Sequence, residues 1–247
     1  MSQFAHDTIV PDRSSNLPKK EQVARMFNSI APKYDLLNRT LSAGIDVGWR
    51  KKAIRLLRAK HPKIILDVAT GTGDLAITAE QLLHPEKIIG IDISNGMLDH
   101  GKKKIKELGL SNTIELMEGD SEDIHYPNEY FDAVMVAFGV RNFQHLDKGI
   151  KEIHRVLKKG GQIMVLEFSQ PKLPFIKQFY SFYMNVVTPG IGGIISKNRD
   201  AYQYLNDSVQ KFPEGKAFVN VLEKADFTET TIKRLSWGIC SIYTGTK

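Results

Sequence analysis

From Lys63 onward the chain alternates short β-branched runs with longer amphipathic stretches, and this rhythm narrows its folds more than any other feature. KIILDV is followed by GDLAITAEQLL, KIIGIDI by NGMLDHGKKKIKEL, then come TIELMEG, FDAVMVAF, LDKGIKEIHRVLK and GQIMVLEF. Strands that recur with intervening helices are joined by right-handed crossovers, so a mostly parallel sheet covered by helices is expected. The end of the chain breaks the rhythm. FTETTIKRL and GICSIYTGTK follow a helix over 215–225 and are separated by little more than Ser236 and Trp237, which predicts a C-terminal antiparallel edge hairpin. The fold class expected is α/β, with seven strands.

Two further segments depart from the pattern. Residues 17–60 read as helices (KKEQVARMFNSIA, YDLLNRTLS and GWRKKAIRLLRAK) broken at Pro32 and Gly44, an N-terminal helical cap ahead of the first strand. Residues 174–210 read as a helical lid insertion hinged at TPGIGG (188–193), where a proline and three glycines cannot continue a helix. Within it, FIKQFYSFYMNVV sets Ile176, Phe179, Tyr180, Tyr183, Met184 and Val187 on one helical face, suited to core packing or to an apolar tail channel. Residues 1–16 are expected to be a flexible tail. No repeat, low-complexity tract or linker divides the chain, so 1–247 is expected to be a single domain.

Charge is unevenly placed. Residues 17–60 carry eleven Lys/Arg against three Asp/Glu, whereas the whole chain sums to +6. A basic cap suits solubility, an anionic membrane surface or nucleic acid; the last is disfavoured because no aromatic stacking motif is interleaved. Cys240 is the single cysteine, which excludes an internal disulfide and a cysteine metal cluster and suits a reducing compartment. The N-terminus lacks the apolar core of a signal peptide, and no run of about 18 apolar residues occurs, so a cytoplasmic protein, soluble or peripheral, is expected.

The strand ILDV runs into ATGTGD (69–74) and then a helix. Gly71 and Gly73 let the backbone approach a ligand, and the helix start offers unpaired N–H groups, the Rossmann-like arrangement for a nucleotide. Asp92 ends the next strand 19 residues beyond Gly73, where an acidic side chain accepts both ribose hydroxyls. Asp74 would repel a pyrophosphate and welcome a cationic amino-acid end, while Asp120 and Ser121 after the third strand suit an adenine edge. Adenosine with a positive centre describes S-adenosyl-L-methionine. The plainer alternative is that Asp74 caps its helix and Asp120 closes a loop.

These residues carry a resemblance. The chain resembles the class I methyltransferases, and more closely the demethylmenaquinone and ubiquinone-precursor C-methyltransferase family. YDLLNRTLSAGIDVGW matches one family signature through Tyr34, Asp35, Asn38, Ser42 and Trp49. RVLKKGGQIMVLEFS matches another through Arg155, Val156, Lys158, Gly161, Glu167 and Ser169. AFGVRN (Phe138, Gly139, Arg141, Asn142) and AYQYLNDS (201–208) extend the likeness over about residues 19–247. Leu37, Asp46, Lys159, Ala137 and the turn ATGTGD depart from the pattern; Asp46 in place of histidine means no base is carried over there. The resemblance implies that Thr72, Asp92, Asp120 and Ser121 contact S-adenosyl-L-methionine, and that a prenylated hydroquinone is the acceptor.

Methyl transfer to a ring carbon requires an electron-rich hydroquinol, so the groups sought are those that favour a phenolate. Arg141 could stabilise it, Asn142 could fix a ring oxygen, and Tyr34 could close over the site; Arg141 as a simple salt bridge is the alternative. His125, His145 and His154 read as surface or capping residues, no metal-ligand spacing occurs, and Ser42 and Ser169 lack a nucleophile elbow. The acceptor is expected to be demethylmenaquinol, with a ubiquinone-precursor benzoquinol, another small phenolic or sterol acceptor, and a non-catalytic cofactor-binding scaffold as alternatives. A homo-oligomer is left open.

Overall fold

A computed structural model describes residues 4–175 and 199–247, with the side chains of residues 199, 200 and 202 also outside the description. The expected hinge at 188–193 and the apolar face from Ile176 to Val187 therefore lie outside the described residues.

Seven strands form one sheet: β1 (Ile64–Val68), β2 (Lys87–Asp92), β3 (Ile114–Glu118), β4 (Phe131–Ala137), β5 (Leu157–Phe168), β6 (Thr228–Leu235) and β7 (Cys240–Thr246), in the order β3-β2-β1-β4-β5-β7-β6. The first five are parallel, with Leu66 opposite Ile89 on one side and Val134 on the other. β7 lies antiparallel between β5 and β6, pairing Glu167 with Ser241 and Leu235 with Cys240. The α/β class and the antiparallel edge hairpin are as the sequence predicts.

Both sheet faces are covered, because strand residues two apart point the same way. Leu66, Val68, Val134 and Val136 pack with α6 (Leu146–Val156) and α8 (Lys216–Lys224); Ile65, Ile88, Ala133 and Met135 pack with α3 (Ile45–Ile54), α4 (Asp74–Leu83) and α5 (Asn95–Glu107). Helix α6 shows why its sequence is helical: Leu146, Ile150, Ile153 and Val156 recur at helical spacing and are all fully buried. Each contributes about 1.5–3 kcal/mol relative to exposure. The helix ends two residues earlier than its pattern suggests, because buried Leu157 already pairs with Phe131 as the start of β5.

The cap comprises α1 (Lys19–Ile30), a 3-10 turn at Ala31–Lys33 that holds Pro32, α2 (Tyr34–Leu41), and α3 continued by a 3-10 stretch to Lys60. Trp49 of α3 donates to Ser236 Oγ at 2.9 Å and so pins the cap to the hairpin turn. Helix α7 (Arg199–Lys211) meets the cap, with Ala201 and Tyr204 packed on Val23 and Met26 of α1. The expected flexible tail is docked from residue 4 onward. His6 is fully buried edge-on to Phe212, Phe4 packs on the main core, and Lys19 Nζ donates to the His6 carbonyl at 2.8 Å. Burial lowers the His6 pKa to about 3, helped by the Lys19 charge, so its ring is neutral. A polar stretch of sequence thus hid two aromatic anchors, Phe4 on the main core and His6 on Phe212 just past α7.

Candidate functional site

The order of strands reverses between β1 and β4, since β2 and β3 extend the sheet one way and β4 and β5 the other. A crevice forms outside the carboxyl ends of strands at such a point. Its floor is two touching turns. Ala69 and Phe138 both take left-handed backbone (φ 55° and 57°), and a Cβ added at Gly139 would lie 2.7 Å from the Ala69 Cβ. Gly71 is also left-handed (φ 56°), and a side chain there would meet the Met97 methyl at 3.4 Å, inside the cleft. The cleft is open to solvent on one side and spans about 640 Å³ when that open part is counted.

Five polar residues expected at the site meet in this cleft: Tyr34, Asp92, Asp120, Ser121 and Asn142, with Gly71 between them. Asp92 ends β2 with both carboxylate oxygens aligned by backbone: Oδ2 accepts from Gly71 N at 2.8 Å and Oδ1 from Ser94 N at 2.9 Å. Burial pushes its carboxyl up, and the N–H donors of Ser94, Gly71 and Ile93 push the other way. Asp120 accepts from Glu122 N at 2.9 Å and forms an ion pair with Lys20 of α1, which also lies 3.8 Å from Glu122. Lys20 was not singled out by the sequence, where it is one of the cap's many cations. Val23 and Phe27 of α1 and Tyr34 of α2 roof the cleft. Burial raises the Tyr34 hydroxyl above its ordinary value, opposed by a hydrogen bond with Asn38 and by the Arg141 and Arg50 charges.

Four expected site residues, Thr72, Gly73, Asp74 and Arg141, do not line the cleft. Thr72, only 3% exposed, donates to Asp35 Oδ1 at 2.6 Å. Asp74 pairs with Lys104 at 2.7 Å and lies 3.7 Å from Arg50 and 3.9 Å from Arg39. Burial raises its carboxyl, but Lys104 and the two arginines outweigh this and hold it below the usual range. Gly73 caps α4 beside them, at φ 78°. The reason is a clasp between cap and glycine turn: Lys104 also binds Asp35 Oδ2 at 2.7 Å, and Arg50 binds Asp46 at 2.6 Å, which in turn accepts from Ser42 Oγ at 2.6 Å. Asp35 and Ser42 of the first signature, together with the departing Asp46, therefore fix the cap. Thr70, the departure in the turn, donates to Asp67 Oδ2 at 2.7 Å; burial raises that carboxyl to about 7.

Arg141 is the fourth. It is buried behind the β4 turn, with Nη1 at 2.8 Å from Glu167 Oε1 and 2.6 Å from the Phe138 carbonyl, and its Cζ stands 5.5 Å from the Phe168 ring centroid. An arginine on a turn at the sheet edge finds the buried carboxylate of the neighbouring strand β5, so it supports the turn instead of facing the cleft. Asn142, one residue on, lines the cleft; its Oδ1 accepts from the Tyr204 hydroxyl at 3.1 Å. His125 is exposed and His154 stacks edge-on to Phe227, outside the cleft.

The residues present fit an adenosyl group, whereas Asp74, expected to meet its cationic end, is held by Lys104 outside the cleft lining. Asp92 and Asp120 retain acceptor lone pairs, Ile93 and Met97 give an apolar wall, and Gly71 leaves the backbone open to close approach.

Comparison with known proteins agrees with this geometry. The chain is 46% identical over 234 residues to a Bacteroides fragilis protein named demethylmenaquinone methyltransferase, covering 95% of this chain and 96% of that one. It is 44% identical over 230 residues to the ubiquinone/menaquinone biosynthesis C-methyltransferase UbiE of a Geobacter species, covering 93% and 97%. Among solved structures, a SAM-dependent methyltransferase of Thermotoga maritima shares the fold with a TM-score of 0.61 at 19% identity, over 90% of this chain and 99% of that one. Human N-acetylserotonin methyltransferase, solved with SAM, matches with a TM-score of 0.63 at 18% identity, over 94% of this chain and 60% of that one. The description "ubiE/COQ5 methyltransferase family" fits residues 16–247, nearly the whole cap, sheet and hairpin, and the chain belongs to that family.

Proposed function

We propose that the protein transfers a methyl group from S-adenosyl-L-methionine to a ring carbon of demethylmenaquinol, giving menaquinol. One observation carries this reading: a single cleft brings the nucleoside-type acceptors Asp92 and Asp120 together with Tyr34 and Asn142, which suit a ring oxygen. The names of the relatives add the acceptor class.

When bound, S-adenosyl-L-methionine supplies an electrophilic methyl on a sulfonium centre. Asp92 and Asp120 would hold its ribose and adenine, and Gly71 would admit it against the backbone. The protein's other task is to make the ring carbon nucleophilic. A hydroquinol oxygen donates electron density to its ortho carbon most strongly when deprotonated, so donors aimed at that oxygen lower the barrier. Asn142 carries an amide donor, and Tyr34 stays protonated because burial raises its hydroxyl. Val23, Phe27, Phe138 and Phe143 line the cleft with hydrocarbon and exclude water. Arg141 keeps the turn bearing Asn142 in register.

Mass spectrometry of the protein incubated anaerobically with S-adenosyl-L-methionine and reduced demethylmenaquinone tests the reading, with a ubiquinone-precursor benzoquinol in parallel. A gain of one methyl on the naphthoquinol is expected. The benzoquinol arm is included because the Geobacter relative's name covers both quinones. No gain on either, with cofactor binding intact, would turn attention to another phenol or to a scaffold.

A prenylated acceptor resides in a membrane, and no described helix is long and apolar enough to cross one. The cap offers a means of approach. Lys51, Lys52, Arg55, Arg58 and Lys60 are all exposed, while Trp49, Ala53, Ile54 and Leu57 between them are buried, so one face of this segment is cationic. The partner proposed is an anionic membrane surface on the cytoplasmic side. Vesicles containing phosphatidylserine are expected to carry the protein upward in flotation at low salt and to release it at high salt. Failure to float with anionic vesicles at low salt would sink this part.

A further inference from the structure

Asn142 has an amide whose two ends do opposite things, and its surroundings distinguish them. The Phe138 carbonyl, which can only accept, lies 3.4 Å from one end, so that end is Nδ2. The other end, Oδ1, lies 3.1 Å from the Tyr204 hydroxyl. Tyr204 is 3% exposed in the small core that α7 shares with α1, and burial raises its hydroxyl well above an ordinary phenol, with the Arg141 charge opposing. It is therefore a permanent donor, and it engages the amide oxygen.

We infer that Tyr204 is a positioning residue: by holding the Asn142 oxygen, it leaves Asn142 a donor, not an acceptor, towards the acceptor's ring oxygen. A donor prefers an oxyanion to a hydroxyl, so the pair selects the ionised hydroquinol. This inference rests on the methyl-transfer reading above. It also gives α7, which docks on the cap, a direct link to the β4 turn. The link from Tyr204 to Asn142 spans 62 residues of sequence, whereas Asn142 and Phe138 are neighbours on one turn.

The test is a cycle of Tyr204→Phe and Asn142→Ala, singly and together, read as kcat, KM for each substrate and the pH profile of kcat at saturating substrates, which reports ionisation of the bound acceptor. Phenylalanine keeps the buried ring and removes only the hydroxyl. Tyr204→Phe is expected to lower kcat about tenfold, leave the KM for S-adenosyl-L-methionine unchanged, and move the alkaline rise of the profile to higher pH, since the anion has lost its favoured donor. In the Asn142→Ala background the same change is expected to add less than twofold, because its route is gone. An unshifted profile in Tyr204→Phe, or an equal loss in both backgrounds, would overturn the inference in favour of plain packing. Should Tyr204→Phe fail to melt cooperatively, Asn142→Ala alone decides: it must show the same upward shift, and an unshifted profile again overturns the inference. Absence of methyl transfer in the unaltered protein would be a failure of the underlying reading, visible before any variant is made.

Discussion

Arg141→Ala is expected to lower folding stability by about 3–5 kcal/mol, the cost of stranding a buried charge. Glu167 is fully buried, and without the guanidinium its donors among the described residues are the N–H of Phe168 at 2.9 Å and a long contact from Arg141 N at 3.5 Å. The loss should depend on pH with a definite sign. Burial already raises the Glu167 carboxyl, and Arg141 is the strongest influence opposing that rise. Removing it raises the folded-state pKa further above the unfolded value, so the folded variant binds a proton that the unfolded chain does not. Stability then falls as pH rises through that window, and the variant's deficit should be larger at pH 8 than at pH 5. Urea denaturation at both pH values measures it. Arg141→Met combined with Glu167→Gln should recover most of the deficit, since a neutral buried pair carries no stranded charge. A deficit below about 1 kcal/mol in the single variant would show that Glu167 finds another partner. Loss of turnover in Arg141→Ala therefore does not by itself place the guanidinium on the substrate.

The second large effect is on cofactor affinity. Asp92→Ala removes the acceptor of the Gly71 and Ser94 N–H groups and, on the proposed reading, the acceptor for the ribose hydroxyls. Hydrogen bonds to a charged group contribute about 1.5–3 kcal/mol each, and losing two of them raises Kd about 10²–10⁴-fold. Titration calorimetry with S-adenosyl-L-methionine measures the change. Asp92→Asn keeps an acceptor oxygen and should lose roughly tenfold, because one charged contact becomes neutral. A Kd within threefold of the original in Asp92→Ala would remove Asp92 from the binding site.

Much of the fold was legible because it is written locally. The short β-branched run in KIILDV, helical spacing in LDKGIKEIHRVLK and the glycine turn ATGTGD each report on their own neighbourhoods, and each formed the expected element. Asp92 and Asp120 were legible as cleft residues for a related reason: one ends β2 and the other lies two residues past β3, both at the carboxyl edge of the parallel strands where the crevice opens. Thr72, Asp74 and Arg141 belong to the turns after β1 and β4 at the same edge, yet their side chains leave the cleft. What diverts them lies far away in the chain: Thr72 meets Asp35 across 37 residues, Asp74 meets Lys104 across 30, and Arg141 meets Glu167 across 26. Lys20 was missed for the converse reason, since its partner Asp120 is 100 residues on.

The sequence by itself thus determined the α/β class, the glycine turn after β1, the helical cap, the terminal hairpin and the carboxylates at the end of β2 and just past β3, all from patterns along the chain. Only the tertiary structure decided which side chains of those elements face the cleft. Burying a charged or hydroxyl group without a partner costs several kcal/mol, so each turns to the nearest complementary group in space, and spacing along the chain does not report that group.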